Sequence, residues 1–247
     1  MSSHANKLKN IAKLSMKEFT RSGLQLIEKP VRQLFTHDNR GNVIKRDDTS
    51  HNQKLLAEMA LEFSHCRSTG SGVGLQTSLF KNAEGQTLLK TPGCKILFAI
   101  QFSGNTVELI GIAVITNLTE NVVENKHLKK VENANMSLPT NSLFLELICA
   151  KPHTGAATFL LLSLLNKMVK QKDAILCNPT NNKSRTFLEK HGYQNFLPNS
   201  GVFKILTQAT AANWENKYLE MLRGYEQSMR ICTRQGVRDR TQTYWDC

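Results

Sequence analysis

The 247 residues are 40% hydrophobic and 21% charged, proportions of a globular protein that exclude an intrinsically disordered chain. No apolar run approaches the roughly 18 residues of a membrane helix. The formal charge of +12 admits phosphorylated or nucleic-acid partners without selecting one.

Residues 1–50 read as an N-terminal extension: two weakly amphipathic helical stretches, then the polar run HDNRGNVIKRDDTSHN as a linker. The first twenty residues are basic but lack the apolar core of a secretory signal, and Glu18 and Glu28 interrupt any organelle-targeting pattern. Asn52 is placed to cap a helix over 53–66 whose apolar face includes Leu55, Leu56, Met59, Leu61 and Phe63. The following RSTGSGVG, with Gly70, Gly72 and Gly74, comes after a helix rather than a strand and reads as a loop.

Lys95 to Phe102 and Thr106 to Thr116 predict two strands, and the connection Ser103-Gly104-Asn105 predicts a hairpin between them. Residues 117–140 are polar and read as an inserted loop. A strand at 142–150 stops at Lys151-Pro152. The turn His153-Thr154-Gly155-Ala156-Ala157 leads into a helix over 155–171 that is apolar on nearly every side. AILCNP (174–179) is a short buried strand, 181–191 a helix that Gly192 terminates, and 202–207 a closing strand. Trp214, Tyr218, Met221, Leu222, Tyr225 and Met229 form a helical stripe, a packing face for the domain or a partner. The organisation expected is an extension over 1–50, one domain over 51–208 and a helical tail over 209–247.

The six cysteines (Cys66, Cys94, Cys149, Cys177, Cys232, Cys247) form no CxxC pair. That argues against a zinc site or disulfide framework and for a reducing, cytoplasmic setting. Cys149 and Cys177 read as small buried hydrophobes. Strand, small-residue turn and helix N-terminus at 143–165 make a natural phosphate cradle, because the first-turn amides have no partner within the helix. Residues 151–190 add seven basic side chains against two acidic ones.

Two motifs resemble those of the GNAT-type N-acetyltransferases. In HTGAA, Gly155 and Ala157 resemble the last two fixed positions of the family's Arg/Gln-x-x-Gly-x-Gly/Ala loop. In NNKSRTFLEKHGY, Asn181, Ser184 and the pair Gly192-Tyr193 resemble its Asn-x-x-Ala…Tyr-x-x-x-Gly-Phe segment. The resemblance implies an α/β (α+β) fold: a mixed, mostly antiparallel central sheet flanked by helices, with an N-terminal helical extension and a C-terminal helix. It implies transfer of an acetyl group from acetyl-CoA to a primary amine by direct attack. The cofactor would be held by the backbone of Ile148, Cys149 and Ala150, by the loop His153, Thr154, Gly155, Ala156, Ala157 and Thr158, and by Asn181 and Ser184. Lys151, Lys183 and Arg185 would neutralise its phosphates.

A general base is needed to take a proton from the ammonium. Glu146 is the first candidate, since strand alternation sets Phe144, Glu146 and Ile148 on one face and Leu145, Leu147 and Cys149 on the other. It either meets the cleft or pairs with a cation. Glu108 is second, with a surface carboxylate as its plainer reading. Two positions depart from the pattern: Pro152 stands where the loop has Arg or Gln, and Leu188 where the family often has an acidic tyrosine. Tyr193 is then the candidate acid, alongside a plain core role. Two other functions fit the chain: a CoA-binding or interaction module without turnover, and an RNA-engaging acyltransferase acting on an aminoacyl-tRNA amine, which the charge permits without any aromatic-interleaved basic motif. No metal, membrane contact or particular amine is indicated.

Overall fold

The computed structural model describes residues 23–39, 43–62, 93–103, 106–118, 141–152, 154–179, 181–196 and 204–223. Nine strands occur among them: β1 (Leu24–Pro30), β2 (Phe35–His37), β3 (Val43–Lys45), β4 (Lys95–Ser103), β5 (Thr106–Asn117), β6 (Leu143–Ala150), β7 (Ala174–Cys177), β8 (Gln194–Asn195) and β9 (Lys204–Thr207). The helices are α1 (Val31–Leu34), α2 (His51–Glu62), α3 (Ala156–Gln171), α4 (Asn182–Lys190) and α5 (Gln208–Asn213), followed by α6 over 215–223.

Seven strands form one sheet in the order β1-β4-β5-β6-β7-β9-β8, while β2 and β3 pair separately. Every neighbouring pair is antiparallel except β6 and β7, which α3 connects. This mixed, mostly antiparallel sheet with helices on both faces is the architecture expected. The apolar run of α3 explains its place. Phe159, Leu160, Leu164 and Met168 are buried against Leu97, Ala113, Ile115 and Ile175 of the sheet. Removing such side chains from water stabilises by about 1.5–3 kcal/mol each. The opposite face packs Ile96, Phe98, Ile112 and Val114 against α1 and α2 through Val31, Leu34, Leu56 and Ala60.

The expected separation of residues 1–50 from the domain is corrected by β1, which pairs with β4 from Leu24↔Gln101 to Pro30↔Lys95. Its Glu28 bridges Lys95 at 2.7 Å and also the Lys167 ammonium of α3. Partial burial opposes ionisation of Glu28, but the two lysines outweigh it and hold its carboxyl below the usual range. The run read as a linker contributes the β3 strand. The tail beginning at 209 is integrated too: Ala211, Ala212, Tyr218 and Leu222 are buried in the α3-side core. Tyr225 and Met229 of the expected stripe, the glycine-rich 67–74 and the insertion at 119–140 lie outside the described residues.

The end of α4 follows directly from its sequence. Gly192 adopts φ +88°, its N–H bonds Glu189 O at 3.0 Å, and Tyr193 N–H bonds Leu188 O at 3.1 Å. These are the two reverse bonds of a Schellman cap, and Leu188 and Tyr193 are buried in the same cluster. A Cβ at Gly192 would lie 3.0 Å from the Trp214 ring. Gly192→Ala is therefore expected to cost about 2–4 kcal/mol, from left-handed strain and overpacking, read as a lower urea midpoint with an unchanged slope.

Candidate functional site

Strand β6 pairs with β5 along its length but with β7 only from Leu143↔Ile175 to Leu145↔Cys177. β7 stops there because Asn178-Pro179 follows, and proline has no N–H to continue a ladder. Glu146 to Ala150 therefore run beyond the last rung with β7. Ile148 and Ala150, two of the three expected pantetheine-binding positions, are half-buried on this stretch, and Cys149 is buried. Cys149 is buried as expected but disulfide-bonded, against the expectation that the scattered cysteines form no disulfide framework.

The alternation expected along β6 is broken at Glu146. Leu147 pairs with Val114 and Leu145 with Ile115, so Glu146 is an extra residue, a β-bulge. Leu145 consequently packs on the α3 side and Leu147 and Cys149 on the α1–α2 side, while Ile148 and Ala150 turn towards α3. The faces assigned by strict alternation are thus wrong beyond Leu145. The Glu146 carboxylate accepts a hydrogen bond from Thr116 Oγ1 at 3.0 Å. It also lies near Cys94, a buried thiol whose ionisation is suppressed by desolvation first and then by the charge of Glu146. Glu108 takes the surface reading: it is exposed and bridges Lys151 at 2.7 Å.

Beyond the end of β6, Gly155 caps α3 with φ 68° and ψ 2°. Only glycine adopts this left-handed conformation without strain, and it leaves no side chain over the helix end. Thr154 Oγ1 donates to Lys151 O at 2.7 Å and accepts from Ala156 N–H at 3.3 Å, holding the turn shut. The amides of Ala157 and Thr158, in the first turn, have no acceptor within the helix. A backbone-only cradle at a positive helix end suits a pyrophosphate. His153 lies outside the described residues. Pro152 is exposed, and the Lys151 N–H is taken by Ile110 O at 2.8 Å.

Asn181 and Ser184 serve α4 as a capping box. Asn181 Oδ1 accepts from Ser184 N–H at 2.8 Å, and Ser184 Oγ accepts from Asn181 N–H at 3.4 Å. That is the local reason for Asn and a small hydroxyl three residues apart. Lys183 and Arg185 are exposed on the same helix. Tyr193 is 3% exposed, and its hydroxyl has no partner among the described residues. It lies in a hollow lined by Leu161, Leu165, His191, Leu206 and Tyr218. Burial, with Cys177 and Tyr218 beside it, pushes its pKa far above the ordinary tyrosine value. A proton donor to a thioester beside β6 must reach it, and Tyr193 is buried in the α3-side core.

The sequence reading passed over His191 and Thr116. His191 is 5% exposed; its Nδ1 lies 2.7 Å from Phe187 O and its Nε2 3.1 Å from Thr158 Oγ1. Tyr218 Oη donates to His191 O at 2.8 Å. Burial lowers the His191 pKa, and Lys190 lowers it further against the opposing Phe187 hydrogen bond. A depressed native pKa means the unfolded chain binds the proton more readily. Stability is then fully present above about pH 6.5 and falls as pH drops below it, through the native value. Urea midpoints measured between pH 7.5 and 5 should show this fall, and His191→Gln should flatten it.

No protein-family model matches the chain, and no curated protein does. Among solved structures, one described as "The crystal structure of acetyltransferase" matches at 15% identity over 83% of this chain and 94% of its own, with a TM-score of 0.28. A TM-score at that level carries no weight, and the fold rests on the strand order and pairing given above.

Proposed function

We propose that the chain is an acetyl-CoA-dependent N-acetyltransferase acting on a primary amine. The observation that carries this reading is the stretch of β6 beyond its last rung with β7, where Ile148 and Ala150 run towards the Gly155-capped end of α3. The stretch offers backbone groups to an extended amide-bearing arm, and the loop offers amides to a pyrophosphate. The residues fit the group without requiring any side-chain ligand.

Acetyl-CoA supplies the activated thioester. In this reading the backbone of Ile148 and Ala150 aligns its arm, and the amides of Gly155, Ala157 and Thr158 bind its phosphates. Glu146, held by Thr116, takes the proton that the incoming ammonium must lose, directly or through a water. Leu188 is buried and has no proton to give, and Tyr193 is enclosed, so the leaving thiolate is protonated by water or by the amine's own released proton. The same two facts favour a second reading, a CoA-binding module with little turnover.

Calorimetric titration with acetyl-CoA and coenzyme A, followed by thiol release across a panel of amines, separates the readings. Micromolar binding with amine-dependent thiol release is expected. Binding without release supports the module, and no binding at high micromolar coenzyme A removes both.

A further inference from the structure

His191 is the C-cap of α4, yet it hydrogen-bonds the first turn of α3. A carbonyl oxygen only accepts, so the contact with Phe187 O fixes the proton on Nδ1. In the neutral ring Nε2 is then an acceptor, and Thr158 Oγ1 donates to it. The ring is further fixed by Phe187, whose centroid lies 4.3 Å away.

Thr158 stands three residues beyond the cap of α3, the position from which a hydroxyl folds back onto the start of its own helix. Among the described residues, the two other helices with a hydroxyl at this position do so. Ser184 Oγ accepts from the N–H of its cap Asn181, and Thr210 Oγ1 lies 3.0 Å from Oγ1 of its cap Thr207. In α3 the hydroxyl is drawn across to α4 instead.

We propose that His191 is a positioning residue for the cofactor loop: by engaging the Thr158 hydroxyl it keeps that hydroxyl off the first-turn amides and leaves them to the ligand's phosphate. This rests on the acetyl-CoA reading. The charged neighbour of the ring is Lys190, and Tyr218 meets only its backbone carbonyl.

The test is calorimetric titration of the full chain with coenzyme A, with melting curves on every variant. His191→Phe keeps a ring of similar size but offers no acceptor, and is expected to weaken binding about fivefold, the ~1 kcal/mol of one competing hydrogen bond. His191→Gln, which can still accept from Thr158, should stay within about twofold of the parent. Thr158→Val has no hydroxyl to fold back, so His191→Phe in that background should change binding by less than about twofold. Parent-like binding by His191→Phe alone overturns the proposal. So does a double variant as weak as His191→Phe, which would mark a packing role. Where His191→Phe does not fold, His191→Asn replaces it, keeping a donor to Phe187 O without the distal acceptor. Failure of the parent to bind coenzyme A overturns the acetyl-CoA reading itself, and is distinct from a parent that binds and a His191→Phe variant that binds equally.

Discussion

Gly155→Glu is expected to reduce coenzyme A binding by a hundredfold or more while the chain stays folded. Two effects add. Any side chain at φ 68° costs about 1–2 kcal/mol of backbone strain, and a carboxylate at the helix end meets the phosphates with like charge where the helix would otherwise attract them. Gly155→Ala separates the two, because it carries the strain without the charge; a loss of only severalfold is expected for it. Titration calorimetry gives both constants, and circular dichroism establishes that the helix persists. Normal binding by a folded Gly155→Glu chain would place the phosphates elsewhere.

Glu146→Gln is expected to lower amine-dependent turnover by 10²–10⁴-fold, the range for loss of a positioned general base, with coenzyme A binding changed less than twofold. Glutamine keeps the size and still accepts from Thr116, so the bulge should survive. The diagnostic is the partition: kcat falls, the binding constant does not. If both fall together, Glu146 holds the strand rather than the proton.

The central strands were legible in the sequence because β4, β5, β6 and β7 are apolar on both faces, as strands sandwiched between helices must be. Gly192 likewise announced the end of α4. What escaped is what depends on partners distant in sequence. LQLIEKP holds two charges and a proline in seven residues, and read locally it is a poor strand; paired along one edge, with Glu28 between two lysines, it is a satisfactory one. The bulge at Glu146 exists only relative to the register of β5, so no pattern within β6 could reveal it. His191 drew no notice because its partner, Thr158, is 33 residues away.

Strand β1 also bears on how the molecule avoids its own kind. β4 is nine residues long and largely apolar, and without β1 its outer row of amides and carbonyls would be a template for a second sheet. A chain shortened to residue 51 would uncover that row and strip Glu28 from Lys95 and Lys167 at once. The far edge is guarded differently, by a two-residue β8 whose exposed Gln194 and Asn195 are too short a strip to recruit a neighbour. β1 thus covers the outer row of β4 and becomes the edge itself, one that carries Glu28, Lys29 and Pro30.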